Sequence, residues 1–232
     1  MTATLLGRSL LAGLTVLALT AMAPAWADDT ETKTGTETAD TKSEETKSDD
    51  AAAKDAPAPK HVIGDIPLGD ENAPVTIIEY ASFTCPHCAS FHNNVWDKLK
   101  ENYIDTGKVR FIMREVYFDK YGLWASMTAR CAGPEGFHPM VDTYLKTQNV
   151  WTRAPDVGQA IQQIGRRAGL SEERLRACLT DRDYAKALLD DYKKNAAADD
   201  VRSTPTFVIN GEKAVGSMSY EEFAKLVDAK LN

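Results

Sequence analysis

Cys85, Pro86, His87 and Cys88 are the residues whose types and spacing most directly imply chemistry in this chain. Two thiols three residues apart can interconvert between dithiol and disulfide, which makes them a candidate redox centre. Three other readings compete. A zinc site wants a second Cys or His pair at ligand spacing. Cys131 and Cys178 stand alone, His138 is seven residues from Cys131, and His92, four residues after Cys88, has no further pair to complete a site. A c-type haem motif needs His directly after the second Cys, and Ala89 is there. A purely structural disulfide between residues so close is sterically awkward. The redox reading requires no metal and no cofactor.

That chemistry depends on the elements around it. Val75–Tyr80 is a short β-branched run bounded by Asn72-Ala73-Pro74 and Ser82, and it reads as a buried strand. The motif follows at once. A helix is expected over about Ala89–Asn102, with Phe91, Val95 and Leu99 at helical spacing, and a second strand over Val109–Met113. Strand, helix, strand is a βαβ unit and demands a parallel pair. Cys85 would then sit at a helix N-terminus, where free N–H groups and the positive dipole end stabilise a thiolate. Pro86 falls in the first turn, where a missing N–H costs nothing. His87 would add positive potential if it is protonated or donates, the alternative being a solvated surface imidazole. A stabilised thiolate favours the reduced state, so the disulfide becomes a stronger oxidant. Cys88, deeper in the helix, suits the resolving role. Glu79 lies in the strand leading to Cys85. It is either buried, with a raised pKa, relaying the proton of Cys88, or turned to solvent.

From about residue 120 to 200 the pattern becomes helical. Leu123–Ala132, Glu135–Thr147, Val157–Ala168, Glu172–Leu179 and Tyr184–Ala197 all read as helices, with Ser171 as an N-cap. Strand signal returns at Thr206–Ile209. Asn210-Gly211 is a two-residue hairpin turn, and the return strand begins at Ala214. Ser219 and Glu222 form a capping box for a last helix ending near Leu231. Thr204-Pro205 precedes the strand after the helical block. Pro205 is either a trans proline opening that strand or a cis-proline facing the cysteine motif.

The ends of the chain bound where the chemistry takes place. Residues 1–27 read as a secretory signal peptide: Arg8, an apolar run from Leu10 to Met22, Pro24, and Ala25-Trp26-Ala27 as the cleavage pattern, with cleavage expected after Ala27. The run is short of the roughly 20 residues that span a bilayer. Residues 28–60 contain no Val, Ile, Leu, Met or aromatic residue and read as a disordered tether. The tether carries −5, the signal +1 and the rest −3 of the total −7, so the acidity says little about the folded part and nothing suggests nucleic-acid binding. Residues 61–232 are the length of one ordinary domain and hold all four cysteines, an even count that fits an oxidising compartment.

The stretch from Gly69 through Cys88 (GDENAPVTIIEYASFTCPHC), with Phe111–Phe118, the helical block and Thr204-Pro205, resembles the DsbA-type thiol:disulfide interchange proteins. The resemblance covers residues 61–232. It implies an α/β thioredoxin fold with an inserted all-helical subdomain over about 120–200. It also implies Cys85 as nucleophile, Cys88 as resolving thiol, a cis Pro205, and a buried acid at Glu79. It implies a periplasmic oxidase acting on reduced exported polypeptides and reoxidised by a membrane quinone-linked thiol oxidase. We expect that oxidase to be monomeric. Thr204 stands where well-studied oxidases of the family carry Val. Thr there is similar to the disulfide isomerases, so an isomerase or reductase kept reduced in the periplasm is the alternative. Cys131 and Cys178 are expected to join two insert helices as a second disulfide. A loop of about 50 residues closed this way contributes on the order of 3 to 4 kcal/mol. The other reading is two separate buried thiols.

Overall fold

The computed structural model describes residues 61–231; the expected signal peptide and tether lie outside them. The strands are β1 (Pro67–Leu68), β2 (Val75–Ala81), β3 (Val109–Glu115), β4 (Thr206–Ile209) and β5 (Glu212–Val215). They form one sheet in the order β1-β3-β2-β4-β5. β2 and β3 run parallel, with Val75 opposite Val109 and Ala81 opposite Glu115, and the other pairings are antiparallel. This is the expected βαβ unit followed by a hairpin. β1 carries too short a signal to read from sequence, and β5 begins two residues earlier than expected, because Glu212 already pairs with Ile209 across the turn. Asn210 and Gly211 both take positive φ, 45° and 86°, as such a turn requires.

The connection between β2 and β3 starts earlier than the apolar spacing suggests. Helix α1 (Pro86–Phe91) begins within the cysteine motif. It continues without a break through a π-helical stretch (His92–Trp96), a helical turn α2 (Asp97–Leu99) and a second π-helical stretch (Lys100–Ile104). Side-chain spacing does not encode such widening. The widened turns still turn Phe91, Val95, Trp96 and Leu99 into the core. Phe91 packs on Phe207 of β4 and Phe223 of α9 (Tyr220–Leu231), with ring centroids 4.7 and 5.2 Å away.

Six helices lie between β3 and β4: α3 (Lys120–Cys131), α4 (Gly133–Lys146), α5 (Gln148–Trp151), α6 (Val157–Arg167), α7 (Glu172–Thr180) and α8 (Arg182–Ala198). Side-chain caps mark several starts. Asp119, Asp156, Ser171 and Asp181 each accept from a backbone N–H in the first turn that lacks an intrahelical acceptor. Ser219 and Glu222 make the expected capping box at α9. A buried ion pair ties this block to the sheet. The Arg130 guanidinium grips the Glu115 carboxylate at 2.6 Å through both Nε and Nη2, with both side chains buried. Its Nη1 also donates to the carbonyls of Val62 and Gly64, fixing the segment before β1. Cys131 of α3 and Cys178 of α7 are joined in a disulfide across a Cα separation of 6.5 Å, as expected. The histidine beside these sulfurs is His61 rather than His138, stacked on Tyr184 with ring centroids 4.1 Å apart. With the sulfurs bonded to each other, neither offers a metal a thiolate.

Candidate active site

β2 carries the chain straight into the site. The N–H of Cys85 donates to the Ser82 carbonyl at 3.1 Å, closing a tight turn after the strand. Cys85 is the N-cap of α1, with φ −83° and ψ 117°, and Pro86 is the first helical residue. Proline fits there because its missing N–H would have had no acceptor within the helix. Both thiols are free, Cys85 at the mouth of the turn and Cys88 one turn further in with no exposed surface.

The two sulfurs are driven apart in acidity. The Cys85 thiol is pulled down to about 5. The largest cause is the hydrogen bond it receives from Cys88. Burial works against this, while the Thr204 side chain and the backbone N–H groups of Cys88 and His87 add to it. The Cys88 thiol is pushed far up, first because donating to Cys85 favours its protonated form, then by burial, then by the negative charge of Glu79. The exposed His87 thus contributes through its backbone N–H.

Thr204 and Pro205 come to the same place from the start of β4, the antiparallel neighbour of β2, and their peptide bond is cis. The Thr204 carbonyl lies 3.5 Å from Cys85 Sγ and accepts from the thiol. Its hydroxyl favours the thiolate. The residue therefore contacts both protonation states of Cys85.

Glu79 is wholly buried rather than turned to solvent. One carboxylate oxygen, Oε2, lies 3.0 Å from Nε2 of His92, which is equally buried. His92 was weighed in the sequence only as a metal ligand. Its spacing of four residues from Cys88, which puts both on one helix face, was the signal for a different role.

Gln148 was not legible as a site residue at all. It opens the four-residue α5, and its side-chain amide donates to the carbonyls of Phe83 and Cys85 at 2.8 and 2.9 Å. Asp119 makes the matching tie at the start of the helical block, capping α3 with Oδ1 and accepting from the Thr84 hydroxyl at 2.7 Å with Oδ2. The active-site turn is thus held from both ends of the first three inserted helices. Gln148→Leu leaves the Phe83 carbonyl buried without its partner, a loss of about 1–3 kcal/mol. A urea midpoint lowered with unchanged slope checks this; an unshifted midpoint would contradict the clamp. A groove of about 670 Å³ opens alongside, lined among others by Pro86, Ser90, Asn93, Tyr121, Lys146 and Arg153.

Comparison with known proteins agrees with this geometry. Residues 61–229 match a family model described as Thioredoxin. The chain is 34% identical over 148 residues to a Rickettsia bellii protein named as a protein-disulfide oxidoreductase, covering 63% of this chain and 57% of that protein. It is 25% identical over 172 residues to Disulfide bond formation protein D of Bacillus subtilis, covering 71% and 76%. The match thus spans less than two thirds of the Rickettsia relative. Among solved structures, alpha-DsbA1 of Wolbachia pipientis superposes with a TM-score of 0.67 at 30% identity, over 72% of this chain and 91% of that one.

Proposed function

The chain belongs to the thioredoxin family as a DsbA-type member, and we propose that it is an exported thiol–disulfide oxidoreductase that introduces disulfides into other exported polypeptides. The observation that carries this is the opposed acidity of the two thiols: Cys85 pulled down to about 5, Cys88 pushed far up. A stabilised thiolate lowers the free energy of the reduced protein, so the Cys85–Cys88 disulfide gives up its oxidising equivalents readily.

The reaction divides into two exchanges. A substrate thiolate attacks Cys85 Sγ of the disulfide, the Cys85–Cys88 bond breaks, and Cys88 leaves with the electron pair and takes up a proton. A second substrate thiolate then attacks the substrate sulfur of the mixed disulfide and releases Cys85, which leaves easily because its thiolate is stable. The substrate gains a disulfide and this protein becomes a dithiol. A membrane quinone-linked thiol oxidase restores the disulfide. Glu79 serves as the acid that protonates Cys88, and the groove beside Pro86 receives an unfolded segment of substrate. In this reading the site lies in the periplasm, after removal of residues 1–27.

A second reading is an isomerase or reductase. Thr204 favours it, because its hydroxyl bears on Cys85 at a position where well-studied oxidases of the resembled family carry Val. Two assays run side by side separate the readings: oxidative refolding of a reduced, unfolded test protein in a glutathione buffer, and reduction of insulin by dithiothreitol. The oxidase accelerates the first far more than the second. Cys85→Ala falls to the uncatalysed rate in both. Stronger activity on insulin or on scrambled disulfides than on the reduced protein would favour the second reading.

A further inference from the structure

The buried acid of this site does not stand alone. Glu79 and His92 are both fully enclosed, and they meet through one contact, Oε2 to Nε2 at 3.0 Å. The remaining polar atom of each, Oε1 of Glu79 and Nδ1 of His92, is buried without a partner. His92 stacks on Trp96, ring centroids 5.0 Å apart, which fixes the plane of the imidazole. The charged or titratable groups near these two are few: Cys88 on α1, Cys85 beyond it, and His138 on α4, whose own Nε2 is 2.7 Å from the Ile66 carbonyl.

The two orphaned atoms restrict where the protons sit. An imidazolium at His92 would bury an N–H at Nδ1 with nothing to accept it, an expensive arrangement. A neutral ring with its proton on Nε2 leaves only a bare nitrogen at Nδ1 and donates to Glu79 Oε2. With Oε2 accepting, Oε1 is left as the oxygen that takes up and gives up the acid proton; an O–H there has no acceptor either, so the proton is held only until a departing sulfur draws it off. We propose that His92 is a positioning residue for the exchange reaction: its Nε2–H occupies Oε2, directs the Glu79 proton to Oε1 for delivery to departing Cys88, and stabilises the carboxylate left behind.

The step balances. The Cys85–Cys88 bond breaks, the electron pair goes to Cys88 Sγ, the proton of Oε1 moves to that sulfur, and one negative charge moves from sulfur to carboxylate. There it meets a charge-assisted hydrogen bond, roughly twice as strong as a neutral one. On reoxidation the proton returns to Oε1 as Cys88 attacks. The inference rests on the oxidoreductase reading above.

Stopped-flow reduction of the oxidised protein by a small dithiol isolates the first exchange. His92→Phe keeps an aromatic ring against Trp96 and removes the donor, so the rate should fall about 10- to 100-fold, at the lower end of what a positioned acid contributes. His92→Gln keeps an amide N–H at nearly the same reach, and the rate should return to within about threefold of the parent chain, a rescue that general loosening of the core would not give. A His92→Phe rate equal to the parent's, or a His92→Gln rate as slow as that of His92→Phe, overturns the proposal. Should His92→Phe fail to fold, the ¹⁵N shifts of the His92 ring in the unmodified oxidised protein decide instead. They should report a neutral Nε2–H ring at pH 7, and an imidazolium or an Nδ1–H ring contradicts the assignment. If the unmodified protein does not exchange disulfides at all, the oxidoreductase reading fails rather than the role of His92.

Discussion

A brief iodoacetamide pulse on the fully reduced protein at pH 6 is expected to label Cys85 and leave Cys88 intact, with a preference of at least ~100-fold. With its thiol ionising at about 5, Cys85 is mostly thiolate at that pH. Cys88, pushed far up and without exposed surface, has neither the charge nor the access. Lowering the pH through 5 should quench the labelling. Peptide mapping by mass spectrometry reads both quantities, and preferential modification of Cys88 would reverse the assigned roles. The same acidity carries a stability consequence with a definite sign. The unfolded Cys85 thiol keeps its proton up to its ordinary value of 9.0, whereas the folded one loses it at about 5. Between those values the unfolded chain binds more protons, so the stability of the reduced protein rises with pH across that window and is lost as pH falls toward 5. Above about 9 the raised Cys88 works in the opposite sense, because only the folded state still holds that proton. The reduced form should therefore melt above the oxidised form, by a margin that grows from pH 5 to pH 9. Scanning calorimetry of the two forms with Cys131–Cys178 intact tests it, and a margin that shrinks over that range would contradict the assignment.

Arg130→Met should cost about 3–5 kcal/mol, the loss expected when one partner of a buried ion pair is removed. Glu115 would keep only the Ser126 hydroxyl, 2.9 Å from Oε1, and the carbonyls of Val62 and Gly64 would lose their donor. At roughly 2–4 °C per kcal/mol for a domain of this size, the melting temperature should drop by about 10 °C or more. Adding Glu115→Leu removes the stranded charge and should recover much of the loss, since apolar replacements of whole buried pairs are often neutral. Limited proteolysis should meanwhile reveal new cleavage near residues 62–64 in the single variant. An unchanged melting temperature would mean that this contact adds nothing to the fold.

The sequence carried more of the fold than of the site's depth. The β-branched strand runs, the Asn210-Gly211 turn and the caps at Ser171 and Ser219 are local signals, and each marks an element near where it is found. Cys85 and Cys88 were legible because their chemistry is written in residue type and order, whereas Pro205 stayed open between a trans and a cis proline until the family resemblance implied the cis bond. Glu79 stayed ambiguous, since an acid in a strand can face either side. His92, Gln148 and the Glu115–Arg130 tie were not legible, because each acts through a partner distant in the chain: 13, 63 and 15 residues away respectively. Gln148 was hidden further by its element, a four-residue helix too short to show any periodicity.

The protein holds two kinds of sulfur pair, and the second helps set how safely it can be concentrated. Thiol–disulfide exchange needs the attacking thiolate in line with the bond it breaks, so an enclosed bond is withheld from exchange whatever its potential. Cys131 and Cys178 are 2% and 1% exposed. A neighbouring molecule's Cys85 thiolate therefore finds no approach to this bond. The protein is kinetically shielded from itself. A dense population of these molecules should therefore keep this bond in place without any partner to police it. Ageing the reduced protein at millimolar concentration under argon should leave the Cys131–Cys178 bond intact and form no disulfide-linked oligomers.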